Sequence, residues 1–351
     1  MVSRVCKKVL TSLKRIALYI SLLVGFFGIA AVFHSTNKIH IHRRMPRTSN
    51  ITEWVVQTTD SELEQINTLV MRRFSDDVDF FDPLLSVRNF TNVPRRGICN
   101  NTVYLVTVHS RVNDTKTRNR WRHLYGTWQD EYKFRILFAI GNAETEEEQE
   151  LINQEIQIHG DILQADLKDT YRNITLKHLA LLRYVAVACP DVKAILKMDD
   201  DVAWNVEEAS KLINDTIETG KIHCDYRQNH TVIRDPQNKW YVNYNEFMGT
   251  VYVPHCLGFA YTVPRSVVLG ILDVAHLERF FWVDDVLITG TLAHLSGAEH
   301  VNIAYRYSLY ARGDYWIPQH IFILVEQKDA ERFYVISNSK WFVEKYVKML
   351  E

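Results

Sequence analysis

Residues 160–205 read GDILQADLKDTYRNITLKHLALLRYVAVACPDVKAILKMDDDVAWN. Within this stretch, residues 173–189 place Leu176, Leu179, Leu182 and Val185 at helical spacing, which predicts a helix with an apolar face. Residues 192–198 (VKAILKM) form a short apolar run of the kind a buried strand presents. Helical periodicity resumes over residues 206–217. Between the strand and that second helix stand Asp199, Asp200 and Asp201. A helix, a buried strand and a second helix in sequence are the unit of an α/β domain, and such domains bind ligands beyond the carboxyl ends of their strands.

The same alternation extends toward the amino end. Residues 102–109 (TVYLVTVH) are β-branched and apolar and predict a strand, residues 117–128 a helix, residues 134–140 (FRILFAI) a strand, and residues 144–158 an acidic amphipathic helix. The expected architecture is α/β, with a mostly parallel central sheet flanked by helices. No internal repeat interrupts the pattern.

Three carboxylates at a strand end repel one another, and a divalent cation relieves that repulsion. Oxygen-only ligands favour a hard ion such as Mn²⁺ or Mg²⁺, which commonly holds substrate phosphates as well. The competing reading of Asp199–Asp201 is an acidic lead-in to the following helix. A second acidic pair, Asp284 and Asp285, opens the apolar stretch FWVDDVLITG. It reads either as a helix cap or as a base that deprotonates an acceptor hydroxyl. Residues 252–261 (YVPHCLGFAY) mix Pro254, Gly258 and aromatics and predict a loop whose backbone approaches a ligand, or an ordinary turn. Trp240, Tyr241 and Tyr244 just upstream could stack on sugar rings or pack in a core. His320 is a candidate metal ligand, with simple packing as its alternative.

Residues 16–33 contain no charged residue and would span about 27 Å as a helix. Arg4, Lys7, Lys8, Lys14 and Arg15 precede the run, so the positive-inside rule places residues 34–351 in the lumen. A cleaved signal peptide, with Gly28 and Ala30 near its cleavage site, is the alternative. Sequons at Asn50, Asn89, Asn100, Asn113, Asn173, Asn214 and Asn229 all fall beyond the run, in keeping with lumenal exposure. Cys99, Cys189, Cys224 and Cys256 form an even lumenal set that allows three pairings, or they are free buried thiols. The formal net charge of -1 gives no reason to expect a nucleic-acid partner. The expected organisation is a cytoplasmic tail (1–15), a signal anchor (16–33), a lumenal stem (34–95) with a helix near residues 61–73, and a catalytic domain (96–351).

These motifs, in this order, resemble the β1,3-galactosyltransferase group of glycosyltransferase family 31, which includes β1,3-N-acetylglucosaminyltransferases. The likeness runs from about residue 101 to 304, and more weakly to His320. It rests on Asp161, Asp166, Asp169, Tyr171, Asn173, Thr175, Leu176 and Lys177, on Lys197 to Val202, and on Lys239-Trp240. Tyr252, Pro254, Cys256, Gly258 and Tyr261, then Asp284-Asp285-Val286 with Gly290, complete it. The resemblance implies a GT-A-type nucleotide-diphospho-sugar transferase fold and an inverting, metal-dependent hexosyl transfer in the Golgi membrane. UDP-galactose is the favoured donor and a glycan on a glycoprotein or glycolipid the acceptor. It implies that Asp199, Asp200 and Asp201 meet UDP and Mn²⁺, with Asp201 and Asp199, and His320 as a further candidate, on the metal. It adds Asp166, Lys177, Arg120, Trp240 and Gly258 to the donor site and makes Asp285, with Asp284 as its neighbour, the catalytic base. Cys189–Cys256 is the pairing expected from two motifs that meet at the donor site, which leaves Cys99–Cys224.

The chain departs from the pattern where Tyr125 replaces an arginine, with Arg118, Arg120 and Arg122 as substitutes, and at His255 and Ala260. Two alternatives stand beside the galactosyl reading: transfer of N-acetylglucosamine from UDP-GlcNAc, and a lumenal carbohydrate-binding or chaperone-like protein without turnover.

Overall fold

The computed structural model describes residues 61–308 and 320–324. In chain order its strands are β1 (Phe90–Asn92), β2 (Tyr104–His109), β3 (Phe134–Asn142), β4 (Ile162–Lys168), β5 (Ala194–Asp199), β6 (Val202–Trp204), β7 (Ile222–Arg227), β8 (His255–Pro264), β9 (His300–Asn302), β10 (Tyr307–Ser308) and β11 (Phe322–Leu324). Eight of them form one sheet in the order β1-β4-β3-β2-β5-β8-β7-β9, and β10-β11-β6 form a small second sheet. The centre β4-β3-β2-β5 is parallel throughout, as the alternating pattern predicts. Beyond it β8 runs antiparallel to both β5 and β7, which the sequence reading did not anticipate.

The helices are α1 (Glu62–Phe74), α2 (Thr115–Tyr125), α3 (Glu146–His159), α4 (Ile174–Ala188), α5 (Val206–Thr219) and α6 (Arg265–Val274). They cover both faces of the sheet. Leu105, Leu137 and Ile195 share one core with Leu179 and Leu182 of α4 and Ile271 of α6. Val106, Ile136 and Leu196 share the other with Trp121 of α2, Ile152 of α3 and Ile213 of α5. All six residues of β2 are therefore buried, and a strand covered on both faces reads as a continuous apolar run. α4 is buried on nearly every side, from Thr175 to Ala186, because α1 and α6 pack on the flank that the sheet does not cover. An all-round apolar helix is the sequence signature of that position.

The described part of the segment expected as stem, residues 61–95, contributes side chains to the core. The helix predicted near residues 61–73 is α1, opened by a capping box in which Ser61 and Glu64 exchange side-chain to backbone bonds. Its Val70 and Phe74 are in the main core with Leu85 and Phe90. The Asn67 amide clasps the Phe90 backbone at 3.0 and 2.7 Å, and β1 extends the sheet beside β4. These residues fall in one of two compact units of the chain, Asp60–Glu351: apolar side chains that occur in a polar stretch have been drawn into its core. The expected tail and anchor, residues 1–33, and the stem up to residue 60 lie outside the described residues. Among the described residues no helix is long and apolar enough to cross a membrane.

The disulfides are Cys99–Cys189 and Cys224–Cys256, which corrects the expected Cys189–Cys256 and Cys99–Cys224. Cys189 caps the carboxyl end of α4, at the amino end of β5. Cys256 precedes by four residues the Ala260 that pairs with Met198 at the carboxyl end of β5. The two cysteines thus flank opposite ends of one strand, whereas Cys224 and Cys256 lie on adjacent strands.

Candidate active site

β2 and β5 end level, with His109 opposite Asp199 in the ladder. β8 runs back past this edge, pairing Tyr261 with Lys197 and Ala260 with Met198. The carboxyl edge of the parallel strands therefore collects the acidic trio, the start of β8 and whatever packs on it. Asp199 ends β5, Asp200 and Asp201 form the turn, and Val202 opens β6. The Trp121 indole N–H holds this turn by donating to the Asp200 carbonyl at 2.9 Å.

Burial and mutual repulsion push both Asp200 and Asp201 up to about 6. Asp201 Oδ1 is buried and has no hydrogen-bond partner. Repelling carboxyls and an orphaned carboxylate oxygen are what a divalent cation would satisfy, so Asp201 and Asp199 fit such an ion as two of its ligands. Among the described residues no group of three or more histidine, cysteine or acidic side chains is arranged to hold a metal. His320 does not complete one. The β6–β11 ladder pairs Val202 with Leu324 and Trp204 with Phe322, so His320 lies roughly 16 Å along the ladder from Asp201 at about 3.3 Å per residue.

The second acidic pair sits at the entry to a π-helix, Val286–Leu292, a distortion that often marks functional sites. Asp285 Oδ1 accepts from Val286 N at 2.9 Å. Its Oδ2 lies against Gly258, where an added Cβ would come within 3.0 Å. The absent side chain is what lets β8 pass this carboxylate, so Gly258 lies beside the second acidic pair by spacing. Burial first and then the neighbouring Asp284 push Asp285 up to about 7. Burial also acts upward on Asp284, but the His178 bond and the Lys197 charge outweigh it and hold Asp284 below its ordinary value.

Lys197 joins the two acidic centres. Its buried ammonium donates to Asp199 Oδ1 at 2.6 Å and to the Gly258 carbonyl, and its field reaches both Asp284 and Asp285. Ile195, Lys197 and Asp199 share one face of β5, so a single strand supplies both the spacer cation and the first acid.

Lys177 reaches the site by way of Asp169, not Asp166. Its Nζ lies 2.7 Å from Asp169 Oδ1 and 2.8 Å from the Ser110 carbonyl. Asp169 Oδ2 in turn accepts from Val112 N at 2.9 Å, and this fixes the loop that leaves β2. Asp166 is exposed on β4, near the sheet edge, and its Oδ1 accepts from the Asn142 amide at 2.8 Å. Arg118 and Arg122 are committed to Glu155 and Asp161 at 2.6–2.8 Å, which removes them as phosphate ligands. Arg120 reaches the Thr117 hydroxyl at 3.4 Å. Tyr125 packs at a tilt between Trp121 and Trp204 and its hydroxyl accepts from Trp204 N at 3.2 Å, so the residue that replaces the arginine is part of the core.

Trp240 remains at the rim, 51% exposed, with its indole N–H donating to the Tyr171 hydroxyl at 2.9 Å. Tyr171 is pushed up to about 12 by burial and by the fields of Asp284, Asp199 and Asp285, which places this aromatic pair beside both acidic centres. Lys239 lies over the Tyr171 ring, and its charge offsets a small part of the upward push on Asp201. His255 is buried and faces His230 at 3.1 Å. Asp169 and Lys197 stood in the quoted motifs but were given no role; His178 gave no signal inside an apolar helix.

A family model described as Galactosyltransferase matches residues 116–304. Mouse beta-1,3-galactosyltransferase 5 is 31% identical over 162 residues, 46% of this chain and 53% of the mouse protein. Mouse beta-1,3-galactosyltransferase 1 is 30% identical over 200 residues, 53% of this chain and 61% of its own length. The chain thus spans about half to three fifths of the curated relatives it matches. Among solved structures, galactosyltransferase LgtC with donor and acceptor sugar analogs aligns at a TM-score of 0.36 and 11% identity, covering 66% of this chain and 95% of that one. A glycosyltransferase involved in glycosylation of the PBCV-1 major capsid aligns at 0.35 and 9%, covering 67% and 98%.

Proposed function

This chain belongs to the galactosyltransferase family, and on that premise we propose that it transfers galactose from UDP-galactose in β1,3 linkage onto a glycan of a glycoprotein or glycolipid. The observation that carries the reading is the pair of acidic centres at one strand edge, held apart by Lys197. One is a trio with an orphaned oxygen and the other a carboxylate pushed up to about 7.

Asp285 has the properties of a general base. Its carboxyl titrates near neutrality, where proton abstraction is most effective, and Oδ2 receives no hydrogen bond from the described residues. It takes the proton of the acceptor hydroxyl while that oxygen bonds to the anomeric carbon. The carbon–oxygen bond to the diphosphate breaks and UDP leaves. Attack on the face opposite the leaving group turns an α-linked donor into a β-glycoside. Trp240 and Tyr171 offer a stacking wall for a sugar face, and the Lys177–Asp169 pair fixes the loop from Ser110 to Val112 beside the donor. A divalent cation, Mn²⁺ in our reading, held by Asp201 and Asp199, would supply positive charge to the diphosphate. The Golgi membrane, with a type II anchor at residues 16–33 and the catalytic unit in the lumen, is the proposed location.

The test is turnover of UDP-galactose and UDP-GlcNAc by the purified chain on a panel of glycan acceptors. Galactose transfer that stops in EDTA and returns with Mn²⁺ is expected. Preference for UDP-GlcNAc would replace the donor, and full activity in chelator would remove the metal.

A further inference from the structure

This inference rests on Asp285 as the base and concerns what holds its neighbour. His178 lies inside the apolar helix α4 with no exposed surface, where an imidazole is costly unless both nitrogens are bonded. Both are. Nδ1 lies 3.0 Å from Asp284 Oδ2 and Nε2 lies 2.8 Å from the Tyr261 hydroxyl. One proton arrangement satisfies all three groups. The ionised carboxylate only accepts, so Nδ1 carries the hydrogen, and Nε2 accepts from the phenol. Among the described residues, His178 is the only side chain that hydrogen-bonds Asp284.

We propose that His178 is a positioning residue for the transfer reaction. Through Nδ1–H it ties Asp284 into the wall formed by α4 and β8, which leaves Asp285 as the carboxylate presented to the acceptor.

Adjacent carboxylates at one helix entry compete for the same proton and the same opening. A fixed donor on one of them breaks that symmetry. The other groups facing the pair are Lys197 and Asp199 from β5, Tyr261 from β8 with Tyr252 just before it, and Tyr171 at the turn before α4, while His109 from β2 faces His178 and Lys197. Lys177 also faces His109. Lys197 acts on both carboxylates and does not tell them apart; His178 does. His109 packs edge-on against His178 at 4.7 Å. Burial lowers His178 and His109 alike, which suits a neutral, fixed-tautomer donor.

The experiment compares His178→Phe, which keeps the ring and removes the donor, with His178→Asn, whose amide N–H takes the place of Nδ1–H. The readouts are kcat for galactose transfer, UDP affinity and the pH profile of kcat. His178→Phe is expected to lose about tenfold to a hundredfold in kcat with UDP affinity within about twofold. Its acid limb should move to lower pH, because Asp284 then takes the shared proton. His178→Asn should keep most of the turnover. Wild-type kcat and limb in His178→Phe would overturn the proposal. Equal losses in both variants with an unmoved limb would reduce His178 to packing and overturn it as well. If His178→Phe does not fold, Tyr261→Phe decides. It removes the donor to Nε2 and should shift the limb the same way by less; no shift overturns the proposal. An Asp285→Asn control that still turns over would sink the base and this inference together, whereas a dead control beside a normal His178→Phe would sink the inference alone.

Discussion

At Asp285, burial and the charge of Asp284 push in the same direction, and the carboxyl is carried up to about 7. A base works deprotonated, so kcat should fall as pH drops through about 7. Asp284→Asn removes the like charge and should move that acid limb to lower pH while turnover survives; a pH–rate profile of the variant checks this. An unmoved limb would mean that burial alone sets the value. The pair itself was legible in the sequence as Asp-Asp before an apolar stretch, with helix capping as the competing reading. Asp285 does bond the Val286 N–H, so the capping reading describes a real feature of the side chain that is also the proposed base. The support behind the pair was not legible. His178 is separated from Asp284 by 106 residues, and nothing in an apolar helix marks one histidine as facing an acid.

Among the elements, α2 and α3 are joined by a buried ion cluster. Arg118, wholly buried, and Arg122 both reach Glu155. Burial would push Glu155 up, but these bonds outweigh it and hold it at about 2. Its share of stability is present above the ordinary carboxylate value and fades as pH falls toward about 2. Glu155→Gln leaves two guanidinium groups facing a neutral amide and should cost about 3–5 kcal/mol, measured by denaturant unfolding at neutral pH; a cost below about 1 kcal/mol would show that water replaces the carboxylate. Strands 102–109, 134–140 and 192–198 were read correctly because a sheet covered on both faces leaves continuous apolar runs. β4 (ILQADLK) escaped because Asp166 and Lys168 turn outward near an edge and dilute the run. β8 escaped because Pro254 and Gly258 read as a loop, whereas Gly258 sits within the strand as the gap that admits Asp285.

For the whole molecule, the described sheet and helices fall in the compact unit Asp60–Glu351, so a chain trimmed to residue 60 should fold and keep its activity. Trimming to residue 96 removes Val70, Phe74, Leu85 and Phe90 from the core. At about 1.5–3 kcal/mol each, that loss is comparable to the roughly 5–15 kcal/mol net stability of a typical domain, and the shorter chain should be insoluble or unfolded by circular dichroism. A cooperative melt from the residue-96 chain would restore the longer stem. Composition hides this boundary, because α1 is as polar as a stem on its outer face. The central claim is that Asp285 is the proton acceptor of a glycosyl transfer at the β5–β8 edge. It is tested most directly by measuring single-turnover transfer from UDP-galactose together with UDP affinity in Asp285→Asn. The account predicts a rate lower by about 10²–10⁴-fold with UDP affinity preserved, since asparagine keeps the size and cap but cannot take a proton. A near-normal transfer rate in that variant would contradict it.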